Sequence, residues 1–270
     1  MRLGVSFSLA SDNTVAGNAY IAAFRQAERI GFDSLWFFDS IGRLVFQPDP
    51  ISAMSAAAAV TEDIEIGTCI LQVPLRHPVE LAHRVLSAHY LSGGRLLLGV
   101  GSGSTESDFD AMEIDFASRF RRMEEALPIM QGLWRGETVR DVNLKPWPPE
   151  IGGPPILIGS WAGSRWIPIA AKRYDGWIAS ARFTNIATLR EGLKRFRGEG
   201  GGRAIVTNIP VDLTADGAPL SNDDHLDLRC GAEEAAARLA TLAEIGFDDA
   251  AVTVSTFTEE HLTTVRGLHP

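Results

Sequence analysis

The chain has 270 residues, of which 45% are hydrophobic and 22% charged, so it can bury a large core and has no bias towards disorder. Its net charge of −9 argues against nucleic-acid or anionic-membrane binding, which would need clustered Lys and Arg. Neither of its two cysteines, Cys69 and Cys230, lies in a metal-ligand spacing. With no signal-peptide run and no apolar stretch of about 18 residues, we expect a cytoplasmic protein that does not enter a membrane.

Strand-like runs alternate with amphipathic helical stretches along the whole chain, which is typical of an α/β protein with a parallel sheet. Leu96-Leu97-Leu98 and Ile156-Leu157-Ile158 are continuously apolar, as expected where both faces of the sheet are covered. We predict eight strands, at residues 3–9, 34–38, 64–73, 95–100, 155–159, 176–179, 204–211 and 250–254. Eight strand–helix units predict a (β/α)8 TIM barrel that occupies residues 1–270 as a single domain.

Two features of the connections refine this prediction. Residues 30–33, Ile-Gly-Phe-Asp, return as residues 245–248, with a weaker echo at Tyr174-Asp175-Gly176. At each joint we expect glycine or a polar residue to end a helix, the aromatic residue to plug the barrel floor, and Asp to lead into the next strand. The irregular, proline-rich residues 136–154 predict a short insertion between the fourth helix and the fifth strand.

Ligands of such barrels bind at the C-terminal ends of the strands, so the residues that follow each strand are the candidates for a site. The glycine-rich residues 99–103 do not match G-x-G-x-x-G, because Ser104 and Glu106 stand where glycines are needed. This loop either lets a planar ligand approach the backbone or forms only a tight turn. Asp39 either accepts a hydrogen bond from a ligand or braces a neighbouring loop. Ser160 either helps to bind an anion or caps the following helix.

Other classes of chemistry lack their motifs. The sequence has no G-x-S-x-G, no H-E-x-x-H and no pair of histidines four residues apart, so we predict neither an α/β-hydrolase nor a metal site. No residue stands out as a catalytic acid or base.

Several stretches, in order, resemble the luciferase-like monooxygenase family. Leu91-Ser92-Gly93-Gly94-Arg95-Leu96 and the following residues 98–103 resemble the family's fourth strand and its approach. Further matches lie at residues 31–36, 66–68, 74–78, 116–137, 154–156 and 175–177. The resemblance therefore covers about residues 1–180, with a looser fit afterwards.

This resemblance implies a barrel whose mouth holds reduced FMN or the deazaflavin coenzyme F420. It also implies a homodimer and a separate flavin or deazaflavin reductase as a partner. It also implies a non-prolyl cis peptide at Cys69-Ile70, Asp39 beside the ring, and Cys69 as a packing residue. The cofactor-binding residues that follow are Asp39, Ser40, Thr68, Cys69, Ile70, Gly101, Ser102, Gly103, Ser104, Gly159, Ser160, Gly163 and Ser164, the last four as the phosphate cradle.

Two departures from the family bear on the reaction. Deazaflavin-dependent sugar-phosphate dehydrogenases place His and Glu where this chain has Ser40 and Ser104, so their acid/base chemistry is not expected here. The segment after the seventh strand, residues 212–229, is also short, so the part of the chain that covers the substrate is expected to be reduced.

Our leading hypothesis is an oxidoreductase for a small apolar substrate, using reduced FMN with oxygen or hydride transfer with deazaflavin. Phe7, Phe46 and Trp177 are expected to line the substrate pocket and exclude water. One alternative is a non-catalytic flavin-binding barrel. Another is a phosphosugar-binding barrel enzyme, which would keep the anion site without a ring against Cys69-Ile70.

Overall fold

A closed ring of parallel strands forms the centre of the molecule, as a computed structural model describes it for residues 1–9, 15–41, 46–162 and 165–269. Each strand pairs with its neighbours in parallel, and pairing of β3 with β5 closes the ring. The strands are β1 (Arg2–Phe7), β2 (Ser34–Phe37), β3 (Glu65–Thr68), β4 (Leu71–Gln72), β5 (Leu96–Gly101), β6 (Ile156–Gly159), β7 (Gly176–Ser180), β8 (Arg203–Pro210) and β9 (Asp249–Val254).

The third position of the ring is shared by two short strands. β3 pairs with β2 and β5, and β4 then pairs with β5 alone, after a break at Cys69 and Ile70. Counted in this way the barrel has eight positions, so the predicted (β/α)8 fold is confirmed.

Helices surround the ring. They are α1 (Gly17–Ile30), α2 (Pro50–Ala58), α3 (Pro78–Leu91), α4 (Glu106–Ala111), α5 (Arg119–Trp134), α6 (Trp166–Arg173), α7 (Ile186–Gly198), α8 (Ala232–Ile245) and α9 (Glu259–Arg266). Among the described residues, none of these helices combines the length and the apolar character that a bilayer-spanning segment needs.

The predicted insertion lies between α5 and β6. It contains an isolated bridge between Val139 and Val142 and a single 3-10 turn at Pro148–Glu150. A separate 3-10 turn at Phe116–Ser118 precedes α5, which begins at Arg119.

Inward-facing side chains fill the barrel itself. The inner cluster consists of Trp36, Cys69, Leu97, Leu157, Ile178, Ile205 and Ala251. Trp36 is its largest member, and its indole Nε1 donates to Ser34 Oγ at 2.8 Å. A Cβ atom on Gly4 or Gly67 would lie 2.7 Å or 2.6 Å from the Trp36 ring, so both strands need glycine beside the indole.

The repeated helix-to-strand joints have one structural role in common. Gly31 and Gly246 end α1 and α8 in the left-handed conformation, with φ of 96° and 103°. The aspartates that follow accept hydrogen bonds from neighbouring strands: Asp33 from Leu3 N at 2.8 Å, Asp248 from Ala204 N at 2.7 Å and Asp175 from Ile156 N at 2.8 Å. Each aspartate thus connects the starts of two neighbouring strands by a hydrogen bond.

The barrel floor differs from the expectation. Phe32 and Phe247 pack in the apolar layer between strands and helices and do not plug the floor. At the N-terminal end of the strands lies a charged cluster of Arg2, Glu65, Arg203 and Asp249. Arg203 Nη2 lies 2.7 Å from a carboxylate oxygen of both Glu65 and Asp249, and Arg2 Nη2 lies 2.8 Å from Glu65.

The charges in this cluster depend on one another. Burial acts to raise the pKa of Glu65, but hydrogen bonds and positive charge from Arg203 and Arg2 outweigh it and hold the pKa below its ordinary 4.5. Asp249 is 1% exposed, so it relies on Arg203 for compensation of its charge.

We expect Arg203→Ala to lower the free energy of unfolding by about 3 kcal/mol, because it leaves two partly or fully buried carboxylates without their main partner. Urea denaturation measures the change. The control Arg121→Ala, which removes an exposed pair with Glu125, is expected to cost no more than about 0.5 kcal/mol. Equal losses in the two variants would contradict this account.

The same cluster predicts a pH dependence. Because the folded-state pKa of Glu65 is lowered, its stabilisation is present above the ordinary carboxyl pKa of 4.5 and is lost as the pH falls below it. The stability difference between the wild type and Arg203→Ala is therefore expected to narrow below that pH. The stability difference between the wild type and Arg121→Ala serves as the baseline. If the difference between the wild type and Arg203→Ala stayed constant down to pH 3, the role of Glu65 would be refuted.

Candidate functional site

A cavity of about 1210 Å³ opens at the C-terminal ends of the strands. Residues that follow seven of the barrel positions line it, as expected for the mouth of such a barrel. Of the predicted cofactor-binding residues, ten line it, namely Asp39, Ser40, Cys69, Ile70, Gly101, Ser102, Gly103, Ser104, Gly159 and Ser160. Gly163 and Ser164 lie outside the described residues.

Four other predicted site residues are not among the described residues that line this cavity. Thr68 is fully buried and its Oγ1 donates to Gly99 O at 2.6 Å. Phe7 and Trp177 pack outward against helices, because alternate residues of a strand point to opposite sides. Trp177 Nε1 donates to Ser160 O at 3.1 Å, so it supports the wall from behind. Phe46 is 78% exposed.

The side chain of Ile70 forms a raised apolar floor in the cavity. The peptide bond between Cys69 and Ile70 is cis, as the resemblance implies. Ile70 lies so close to β5 and β6 that a Cβ atom on Gly101 or Gly159 would collide with it. Glycine at 101 is therefore required by this close approach, which accounts for part of the glycine-rich loop.

Cys69 is a packing residue. It belongs to the inner apolar cluster and is 5% exposed. Burial raises the pKa of its thiol far above the ordinary value, so the thiol stays protonated and is a poor nucleophile.

Asp39 braces the mouth. Its Oδ2 accepts from Arg76 Nη1 at 2.6 Å and from Gln72 N at 2.8 Å, and its Oδ1 accepts from Arg76 Nη2 at 2.9 Å. Burial acts to lower the pKa of Arg76, but the hydrogen bonds and charge of Asp39 outweigh it and raise that pKa. Of the two roles left open by the sequence, the geometry favours the brace, since both carboxylate oxygens are engaged.

Gln72 extends this brace to a third loop. Its Nε2 donates to Asp39 O at 3.1 Å and to Asp108 Oδ2 at 2.9 Å. The loops after the second, third and fourth barrel positions are thus joined by one buried polar network. The sequence alone did not indicate Gln72, and it included Arg76 only within the family match at residues 74–78.

Ser160 does not cap a helix. β6 ends at Gly159, whereas α6 begins at Trp166, with Arg165 at the N-cap position. Ser160 Oγ is buried and has no hydrogen-bond partner among the described residues. The hydroxyl is therefore left for a ligand in the cavity.

Arg119, at the start of α5, is a cavity residue that sequence reasoning missed. Its guanidinium carbon lies 3.9 Å from the ring centre of Phe116 and 4.3 Å from that of Phe120. Its Nη1 donates to Phe116 O, whereas its Nε is buried without a partner in the described chain. Arg165, which precedes α6, lies against the same Phe120 ring at 5.6 Å, so Arg119 is close to the loop of Ser160.

The seventh position of the barrel contains a β-bulge that the sequence pattern does not indicate. β8 has a bulge between Val206 and Ile209, and Asn208 within it has a φ of 59°. Asn208 Nδ2 donates to Ser180 Oγ at 3.1 Å, and both residues line the cavity. The bulge turns an amide towards the mouth in a stretch that looks like an ordinary strand.

The brace predicts strong coupling between Asp39 and Arg76. We expect Asp39→Asn and Arg76→Met each to cost about 3 kcal/mol of unfolding free energy, because each leaves a buried charge unpaired. The double variant is expected to cost clearly less than the sum. Urea denaturation of the four proteins measures the coupling, with the exposed change Glu125→Gln as a control that costs at most about 0.5 kcal/mol. Additive losses would mean that the pair does not act as a brace.

A family model described as luciferase-like monooxygenase matches residues 1–225. Limonene 1,2-monooxygenase of Rhodococcus erythropolis is 32% identical over 130 residues, which is 48% of this chain and 34% of that protein. An F420-dependent glucose-6-phosphate dehydrogenase of Beutenbergia cavernae is 29% identical over 244 residues, 84% of this chain and 66% of that protein. The matches thus span from a third to just under two thirds of these relatives.

Two solved structures have the same fold. Monooxygenase RslO1 from Streptomyces bottropensis superposes with a TM-score of 0.83 at 17% identity, over 99% of this chain and 97% of that one. The oxygenating constituent of 3,6-diketocamphane monooxygenase from Pseudomonas putida, in complex with FMN, superposes with a TM-score of 0.78 at 15% identity, over 98% and 96%. At these identities the likeness concerns the fold alone.

Proposed function

The chain belongs to the luciferase-like monooxygenase family, and from this we propose that it is an oxidoreductase whose barrel mouth binds a reduced flavin or deazaflavin. Two of its relatives by sequence are named as a monooxygenase and an F420-dependent dehydrogenase. One protein of similar fold has a solved structure in complex with FMN. This family favours the flavin hypotheses over an unrelated phosphosugar barrel.

The observation that carries the proposal is the Ile70 floor. An apolar side chain rises into the mouth between two glycines, and a flat fused ring could lie on it without meeting a Cβ atom of Gly101 or Gly159. The cavity of about 1210 Å³ exceeds the roughly 300–1,000 Å³ of an ordinary ligand pocket, so a ring system and a small second molecule fit together.

The polar residues of the cavity suit the anionic tail of such a cofactor. Ser160 Oγ and Arg119 Nε are buried without partners in the described chain, and their loops adjoin. A phosphate accepts several hydrogen bonds and is well matched by an arginine and a hydroxyl. We include Gly159, Gly163 and Ser164 in this cradle as a prediction from the family resemblance.

A reduced flavin or deazaflavin bound there would supply the electron pair, for oxygen activation or for hydride transfer. The chain's own residues position the ring and keep water from it. Ile70 supports the ring, Cys69 packs beneath it as a protonated thiol, and the Asp39–Arg76 brace holds three mouth loops in register. We assign no proton transfer to Asp39, because both its oxygens are engaged.

We expect the wild type to bind FMN at least about tenfold more tightly than riboflavin, which lacks the phosphate, if Arg119 makes one charge-assisted hydrogen bond. Arg119→Gln is expected to remove this preference and leave riboflavin binding unchanged. Arg121→Gln, two residues further along α5 and paired with Glu125, is the matched control. Isothermal titration measures the affinities, and a parallel series compares the deazaflavin coenzyme with its tail-less chromophore.

The two series also separate the cofactors, because the tighter of FMN and the deazaflavin coenzyme identifies the one used. Binding of neither would overturn the proposed function. Equal loss of affinity in Arg119→Gln and Arg121→Gln would overturn the role of Arg119 alone.

A second candidate is a non-catalytic flavin-binding barrel. It is favoured because Ser40 and Ser104 stand where related dehydrogenases carry His and Glu, and because Asp39 is engaged by Arg76. Turnover distinguishes the candidates. If oxygen or a small acceptor consumes the bound reduced cofactor no faster than it does in free solution, the binding protein is the better description.

The remaining expectations stay predictions: a single domain over residues 1–270, a homodimer, a separate reductase and a cytoplasmic location. Light scattering of the purified protein measures the oligomeric state.

A further inference from the structure

The cavity is cationic although the protein is acidic overall. Two of its described lining residues are acids, and each is paired with an arginine outside the lining. Asp39 binds Arg76, and Asp227 Oδ1 lies 2.8 Å from Arg238 Nη1, whose side chain is 6% exposed. Each lining acid thus has a guanidinium partner, although Arg238 is shared with Glu234 at 3.0 Å.

The arginines of the lining have no such partners. Within the described part of the chain, Arg119, Arg182 and Arg229 take part in no ion pair, although all three line the cavity. The proposed cofactor phosphate accounts for Arg119. Arg182, after β7, and Arg229, after β8, lie on other loops, and both side chains are exposed. Hydrogen bonds from Thr214 and the charge of Arg229 lower the pKa of the Asp212 carboxyl, but neither guanidinium forms an ion pair within the described chain.

The loops that carry these two arginines are joined to each other and to the barrel. Ile186 N donates to Asp224 O at 3.1 Å, and an isolated bridge pairs Asn185 with His225. Leu228 N, next to Arg229, donates to Pro210 O at the end of β8 at 2.8 Å. The backbone on both sides of the mouth is thus held by hydrogen bonds, so the guanidinium groups start from anchored positions.

An aromatic wall stands beside Arg182. Trp161 and Phe183 both line the cavity, and their ring centres lie 6.2 Å apart. They are 58% and 52% exposed and lie side by side, so they form an apolar surface at the mouth that a flat ligand could cover.

We propose that the substrate carries an anionic group, a carboxylate or a phosphate, which Arg182 and Arg229 bind, and a flat apolar body that packs against Trp161 and Phe183. This inference rests on the proposed function, since it assigns the substrate class of the same mouth. It changes the expectation of a purely apolar substrate, because an apolar molecule that covered these two guanidinium groups would take them out of water and offer them no hydrogen bonds. Guanidinium groups match the planar oxygen pairs of carboxylate and phosphate.

The test uses a matched pair of flat probes, 2-naphthoate and its neutral amide 2-naphthamide, titrated calorimetrically into the full chain with and without FMN. The wild type is expected to bind the carboxylate at least about tenfold more tightly than the amide, as for one charge-assisted hydrogen bond. This preference is expected to weaken with added salt. Arg182→Gln/Arg229→Gln is expected to abolish it without changing FMN affinity.

Arg190→Gln, on an exposed face of α7, changes the charge without touching the cavity and is expected to keep the preference. Equal affinity for the two probes in the wild type, or loss of the preference in Arg190→Gln, would overturn the proposal. Loss of FMN or deazaflavin affinity in the double variant would assign the arginines to the cofactor tail and also overturn it. Failure of the proposed function is a separate result, namely that the wild type binds neither cofactor while it still prefers the carboxylate.

Discussion

The close packing of Ile70 against the backbones of two neighbouring strands governs the geometry of the mouth. The third barrel position is interrupted there, and the side chain enters the space above the inner apolar cluster. Gly101 and Gly159 make this approach sterically possible, since a Cβ atom on either strand would collide with it. The apolar floor, the two glycines beside it and the room for a flat ligand all depend on this one contact.

Ion pairs behind the cavity wall influence the charge of the mouth. Asp39 and Asp227 are both paired with arginines that lie behind the cavity wall, and buried charges need such partners. The pairs stabilise the loops, whereas the lining arginines form no ion pair within the described residues. In our proposal this arrangement also decides which ligands the cavity favours.

Much of the fold and part of the site could be predicted from the sequence. Eight apolar runs and the repeated Ile-Gly-Phe-Asp joints indicated the barrel, and ten of the residues that follow its strands line the cavity. Phe7 and Trp177 were assigned to the pocket from their place in the chain, but the alternation of strand side chains turns both towards helices. Arg119 and Gln72 were missed, because single polar residues in helical or strand-like stretches carry no motif.

The sequence by itself determined the class of the fold, the order of its units and the position of the mouth, because strand and helix periodicities and glycine-containing joints are local properties. Only the tertiary structure decided which side chains meet there. Whether Asp39 braces or binds, whether Ser160 caps a helix, and which charges lack a partner all depend on residues distant in the chain, such as Arg76 and Arg238. These long-range contacts are set by closure of the ring, which no local pattern encodes.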